Sequence, residues 1–212
     1  AAVFDKSHHV GLRFLQALFK HGGHHADGLQ RAGHVVPQRR CHAPEQGVTC
    51  RLGKALLEEF GVKQQFHSHA DSHIGTTREV NRFLDETDPR YTNLCLDTGH
   101  FAYYGGDNVK LIEQRPERIG YLHLKQVDTS LLFDVLKNDV PFADAVGQGI
   151  MIEPPHGVPD LAPTIEAVAA IDPDIFAIVE QDMYGCELDR PFPIAKRTRE
   201  HIFGCTHLAR LH

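Results

Sequence analysis

No Cys-x-x-Cys pair occurs in the chain; Cys41, Cys50, Cys95, Cys186 and Cys205 are an odd, scattered set. This excludes a disulfide framework and a zinc-ribbon pattern, and reduced thiols in the cytoplasm are the expected state. No stretch approaches the roughly 18 to 20 consecutive apolar residues that a membrane-crossing helix requires. The first residues, Ala1-Ala2-Val3-Phe4-Asp5-Lys6, lack the charged-then-apolar layout of a secretory signal. A long basic run is also missing and the formal net charge is -6. That argues against a nucleic-acid partner, because phosphate-backbone affinity depends on Lys and Arg. With 212 residues, 42% of them hydrophobic, the chain can bury a substantial core, most simply as one domain. It reads as a cytoplasmic protein with a small-molecule partner, not a membrane or a nucleic acid.

Two compositions meet near residue 50. Residues 1–50 hold seven of the sixteen histidines, in segments such as His21-Gly22-Gly23-His24-His25 that sustain neither a strand nor a helix period. Only Leu12 to Phe19 has the pattern of a short amphipathic helix. The expectation for 1–50 is an irregular or poorly folded segment whose clustered histidines are solvated, not ligating.

From 51 to 212 helical and extended pieces alternate. Lys54 to Phe60 reads as a helix closed by Gly61, with a strand from Val62 to His67. Thr76 can cap a helix whose Val80, Phe83 and Leu84 share a face. Tyr91 to Asp97 is a strand, and Asp107 caps a helix carrying Val109, Leu111 and Ile112. Pro116 stops that helix before a strand from Arg118 to His123. A long link follows, of a kind that often forms lids, with Ser130 to Leu136 helical. Leu161 to Ile171 is a helix, Ile175 to Glu180 the last strand, and Ile194 to Phe203 a closing helix. This βαβα rhythm implies an α/β fold with a parallel sheet and right-handed crossovers, which put every strand's carboxyl end on one side.

Those ends carry metal-capable side chains. Gln64-Gln65-Phe66-His67, Leu94-Cys95-Leu96-Asp97, Ile119-Gly120-Tyr121-Leu122-His123 and Ile175-Phe176-Ala177-Ile178-Val179-Glu180 each finish on one, and in a (β/α) barrel such ends surround one mouth. Asp97 enters a Gly-His turn, Thr98-Gly99-His100, where it can ligate or cap the following loop. His123 and Lys125 alternate onto one side of an extended chain. Glu180 follows an apolar run and needs a partner, either a metal or a salt bridge such as one to Lys125. Within His67-Ser68-His69, one histidine can ligate while the other holds substrate. Two carboxylates with one or two imidazoles suit Mn²⁺, Co²⁺, Mg²⁺ or Zn²⁺. Such an ion, spanning a carbonyl and an adjacent hydroxyl, would stabilise the enediolate left when a base removes an α-proton, with Lys125 or His100 polarising oxygen or protonating a leaving hydroxyl.

The segments His67-Ser68-His69-Ala70-Asp71-Ser72-His73, Leu94-Cys95-Leu96-Asp97-Thr98-Gly99-His100, Gly105-Gly106-Asp107, Arg118-Ile119-Gly120-Tyr121-Leu122-His123-Leu124-Lys125 and Ile178-Val179-Glu180-Gln181-Asp182 resemble, in order and spacing, the inosose dehydratase-like sugar phosphate isomerase/epimerases of the xylose-isomerase-like TIM-barrel superfamily. The resemblance implies a divalent metal on Asp97, His123 and Glu180. His67 stands where relatives commonly offer a Glu. His69, His100 and Lys125 fall on the substrate side, and Lys125, His100 and Glu180 are the catalytic set. It implies a sugar or keto-polyol substrate. By motif the resemblance runs from about Leu52 to about Cys205. Since a complete barrel needs roughly 250 residues and eight strands, the expectation is a partial barrel, about the carboxyl-terminal half, in a shortened or frame-disrupted product. Its open strand edges favour a homo-oligomer. Two other readings are a non-catalytic remnant or interaction protein of the same fold, and a metal-dependent endonuclease for abasic DNA, which the acidic charge disfavours.

Overall fold

The computed structural model describes residues 44–208, and there the alternation becomes a parallel sheet with helices packed on one face. The elements are α1 (Pro44–Phe60), β1 (Gln64–His67), α2 (Thr77–Glu86), β2 (Thr92–Asp97), α3 (Thr98–Tyr103), α4 (Asn108–Gln114), β3 (Ile119–Leu124), β4 (Gln126–Val127), α5 (Thr129–Lys137), α6 (Phe142–Gly147), β5 (Met151–Ile152), α7 (Leu161–Ile171), β6 (Ala177–Val179) and α8 (Pro191–Leu208). The main sheet runs β1-β2-β3-β6, parallel throughout. Four parallel strands with outer helices are half of an eight-stranded barrel.

Period-two alternation sorts the strand side chains. Phe66, Leu94, Leu96, Leu122, Leu124, Ala177 and Val179 join one apolar cluster with Val80, Phe83 and Leu84 of α2, Leu111 and Ile112 of α4, Ile165 and Val168 of α7, and Ile202 of α8. His67, Asp97, His123 and Glu180 therefore share the opposite face, because His67 pairs with Cys95 and Asp97 with His123, while Glu180 lies two residues beyond Ile178, the partner of His123. A β-bulge adjusts this register: the partner of Leu94 is Ile119 and that of Cys95 is Tyr121, leaving Gly120 as the extra residue. The end of the Gln65 side chain lies where a Cβ at Gly120 would stand.

The caps behave as their chemistry dictates. Thr76 and Glu79 form a complete capping box, and Asp107 accepts from the Lys110 amide. Two expectations change. Thr98-Gly99-His100 is the first turn of α3, not an open turn, with Asp97 as its N-cap. The boundary expected near residue 50 falls inside α1, which begins at Pro44. Gly47 and Gly53 weaken the helical signal there, and Gly53 is glycine because a Cβ would meet Gln64 Oε1 and Thr92 Oγ1 at 2.8 Å. The short helix expected over Leu12 to Phe19, and the remainder of the irregular segment, lie outside the described residues.

The long link after β3 folds into a small lobe. β4 pairs antiparallel with β5, and Val127, Val135, Phe142, Val146, Ile150 and Met151 close a second apolar cluster with Ala70 and Tyr103. Among the described residues no helix is long and apolar enough to cross a membrane. Cys50, Cys95, Cys186 and Cys205 are free thiols.

Arg118 ties the sheet to α2. It is 4% exposed and donates to the Leu84 carbonyl, to Thr87 Oγ1 at 2.7 Å and to the Thr92 carbonyl at 3.2 Å. Replacing Arg118 with Met would leave buried carbonyls without donors, so we expect a loss of about 2 to 4 kcal/mol, read as a lower urea midpoint with unchanged slope.

Candidate metal centre

The carboxylate of Asp97 is fully buried at the end of β2, and its two oxygens have separate partners. Oδ1 accepts from the His100 amide at 2.8 Å and so starts α3. Oδ2 faces the inward side of the sheet, 3.3 Å from His67 Nε2, 3.5 Å from His123 Nδ1 and 3.1 Å from Lys125 Nζ. Capping and site-facing roles thus coexist on one side chain.

His67, Asp97, His123 and Glu180 each bring one donor atom to this place, and the four atoms lie within 4.8 Å of one another. Glu180 stands just beyond β6, tethered by its amide to the Leu124 carbonyl at 3.2 Å. Its Oε2 is 2.6 Å from His123 Nδ1 and 3.3 Å from Lys125 Nζ. The metal and salt-bridge alternatives for Glu180 are therefore spatially compatible. The approach to His123 lacks hydrogen-bond alignment, so both of these buried atoms remain without a hydrogen-bond partner. Two imidazole nitrogens and two carboxylate oxygens aimed at one point fit a divalent cation.

Lys125 occupies the floor beneath them. Its side chain is 1% exposed, and Nζ reaches Asp182 Oδ2 at 3.0 Å as well as Asp97 and Glu180. Three carboxylates face this one ammonium, so Lys125 alone does not balance their charge. Gly99 makes room for the lysine stem, since a Cβ there would stand 2.8 Å from Lys125 Cγ. Thr98 fixes its backbone by accepting from the Lys125 amide at 2.8 Å and donating to its carbonyl at 2.7 Å.

The excess negative charge controls protonation. Burial alone would raise the Asp97 carboxyl, but Lys125, His100, His123 and His67 hold it well below the usual carboxylate range. Glu180 is held at about 2, burial again being outweighed by His123 and Lys125. Burial works against the charged forms of His123 and Lys125 too, yet Asp97, Cys95 and Glu180 push His123 up to about 12, and Asp97, Asp182 and Glu180 raise Lys125. His100 goes the other way, down to about 3, because burial is reinforced by Lys125 and outweighs Asp97. Its Nδ1 accepts from the Ala70 amide at 3.3 Å and its Nε2 lies 3.1 Å from Lys125 Nζ. This imidazole stays neutral.

His69 lies at the side of this cluster. Its ring stacks on that of His100 with centroids 3.7 Å apart, and its Nδ1 donates to the Ala70 carbonyl at 2.6 Å. Phe142 of the lobe packs against both rings, at 5.0 Å and 5.1 Å. The residues assigned to substrate therefore split: His69 belongs to the rim, whereas His100 and Lys125 are each 1% exposed and form the floor. Access comes past His67, His123 and Glu180, whose side chains are 28%, 20% and 36% exposed.

Two participants escaped the sequence reading. Asp182 is 3.8 Å from His100 Nε2 besides its contact with Lys125, and its signal was its place two residues after Glu180, on the same side of an extended chain. Phe142 carried no local signal, because the lobe that delivers it has few long-period elements.

Comparison with known proteins bears on the family and the fold. The family model described as xylose isomerase-like TIM barrel matches residues 5–202. Its span begins far upstream of Leu52, so the expectation that residues 1–50 resemble nothing in the family is corrected. An inosose dehydratase of Geobacillus kaustophilus (strain HTA426) is 29% identical over 202 residues, 94% of this chain and 65% of its own length. One from Geobacillus thermodenitrificans (strain NG80-2) is 33% identical over 152 residues, 72% of this chain and 50% of its own length. The chain thus spans between half and two thirds of the curated relatives it matches. Among solved structures, the probable 3-DHS dehydratase AsbF from Bacillus anthracis superposes with a TM-score of 0.57 at 20% identity, over 75% of this chain and 56% of that one. The IolI protein with a bound zinc atom gives 0.54 at 18% identity, over 74% and 55%. With its parallel strands, outer helices and matched span of 5–202, the chain belongs to the xylose isomerase-like TIM barrel family.

Proposed function

We propose that this chain carries the cation site of a metal-dependent lyase or isomerase acting on a sugar or keto-polyol, with dehydration of a keto-inositol as its most specific form. The observation that carries the reading is the convergence of His67, Asp97, His123 and Glu180 from four strand ends within 4.8 Å. Inosose dehydratases among the relatives support the substrate class, and the zinc atom of IolI supports the cofactor class. When bound, the divalent ion supplies Lewis acidity toward a carbonyl and its neighbouring hydroxyl, the chemistry that an enediolate route requires.

The side chains divide the remaining work. Lys125, raised in pKa and held by Asp97, Asp182 and Glu180, stays charged, so it stabilises negative charge on a substrate oxygen and does not hand over its proton. His100 remains neutral and braces Lys125 from below. Glu180, ionised and the most exposed of the four donors, presents a carboxylate to the approach. His69 and Phe142 wall the approach, one polar and one apolar.

A second reading is a non-catalytic remnant or interaction protein of the same fold. Turnover separates the two. Purified protein incubated with Mn²⁺, Co²⁺ or Zn²⁺ should eliminate water from 2-keto-myo-inositol, and metal uptake without turnover would favour the remnant.

Two variants probe the site. Asp97→Asn should reduce stoichiometric metal in elemental analysis of the folded protein by about tenfold or more and abolish the thermal shift on adding metal; unchanged metal content would remove the mechanism. Lys125→Met strips the counter-ion from three carboxylates, so metal-free protein should lose about 3 to 5 kcal/mol in urea melts. Added divalent cation should restore part of that loss.

A further inference from the structure

We propose that His67 is the residue that sets the metal preference of this centre, biasing it toward zinc and cobalt and away from magnesium and manganese. The inference rests on the cation-site reading above and adds a selectivity to it.

The argument starts from donor chemistry. Imidazole nitrogen suits zinc and the later transition ions, whereas an all-oxygen set suits magnesium and manganese. Here the four donors are two imidazole nitrogens and two carboxylate oxygens. His123 alone would leave an oxygen-dominated set, and His67 makes the nitrogens equal in number to the oxygens. The second nitrogen therefore comes from one strand end, that of β1.

Geometry agrees for the pairs that involve Asp97. Four donors about 2.0 to 2.1 Å from a common zinc at tetrahedral angles lie roughly 3.3 to 3.4 Å apart. His67 Nε2 is 3.3 Å and His123 Nδ1 is 3.5 Å from Asp97 Oδ2, whereas His123 Nδ1 is 2.6 Å from Glu180 Oε2 and the four atoms spread over 4.8 Å. Octahedral magnesium would instead fill its remaining positions with water and gain least from the two imidazole nitrogens. The nearest further group is the Lys125 ammonium, 3.1 Å from Asp97 Oδ2, which has no lone pair to offer. Asp182, the remaining carboxylate, is engaged by Lys125 at 3.0 Å.

His67 is also placed to act as a ligand and not as packing. It ends β1, its side chain is 28% exposed, and its ring lies 4.8 Å from that of His123. Its Nε2 lies 3.3 Å from the Asp97 oxygen that His123 and Lys125 also approach.

The test is a chelator competition on the intact chain, without any activity assay, comparing Zn²⁺, Co²⁺, Mn²⁺ and Mg²⁺ for the wild type, His67→Glu and His67→Gln, with the visible absorption of the Co²⁺ form as a coordination readout. We expect His67→Glu to narrow the Zn²⁺ over Mn²⁺ affinity ratio by about tenfold or more, with stronger Mg²⁺ and Mn²⁺ binding. His67→Gln, which removes the nitrogen without adding charge, should weaken Zn²⁺ without any gain for Mg²⁺. The Co²⁺ spectrum should lose its intense four-coordinate bands in both variants. Ratios and spectra unchanged in folded variants overturn the role of His67 and leave the cation-site reading intact. Failure of the folded wild type to bind any of the four ions overturns both.

Discussion

A carboxylate fully removed from water is the constraint on which this site depends. Asp97 ends a strand whose six residues are all buried, and an unpaired charge there would cost several kcal/mol. Its two oxygens are satisfied in different currencies of interaction: one starts α3 through the His100 amide, the other gathers His67, His123 and Lys125. The same residue thereby couples local helix formation to the assembly of a site from distant segments. His123 and Lys125, which answer the charge of Asp97, also meet further carboxylates, Glu180 and Asp182, and the carboxylates outnumber the ammonium three to one. A cation is the simplest complement to that excess.

Among the described residues, the four candidate donors come from one run of neighbouring strands. The four contributing strand ends belong to adjacent strands, β1-β2-β3-β6, so no strand from elsewhere is needed to bring their side chains together. The lobe built by β4, β5, α5 and α6 supplies one wall, with Phe142 against the rings of His69 and His100. On the other side the inward face is only partly covered: Tyr121, His123 and Ile178 remain half-buried. Apolar residues at either flank, Phe60 and Val62 beside β1 and Leu188 and Phe192 after β6, are strongly exposed. Substrate enclosure, unlike donor geometry, therefore depends on more than the described residues provide.

Much of this was legible before any coordinates. Thr76 and Asp107 announce helix starts because a side-chain oxygen can satisfy an orphan amide. Val80, Phe83 and Leu84 announce a buried helix face by their spacing. The four ligand-type residues could be read because each ends an extended segment, three of them apolar. Other features were hidden for physical reasons. The first turn of α3 looked like a loop because Thr98-Gly99 has weak helix propensity, and Asp97 supplies the missing stabilisation from the preceding strand. The start of α1 was masked by Gly47 and Gly53, the latter required by a close approach to Gln64 and Thr92.

By itself the sequence determined the parity of the site: period-two alternation commits His67, Asp97, His123 and Glu180 to one face and Leu94, Leu96, Leu122 and Leu124 to the other, since successive strand residues must point oppositely. Only the tertiary structure decided the pairings within that face. That Lys125 answers three carboxylates, that Asp182 joins them and that His100 stays neutral all follow from separations of about 3 Å between segments far apart in the chain. Such separations are fixed by strand register, by the bulge at Gly120 and by the clearance at Gly99, none of which a local pattern of residues can specify.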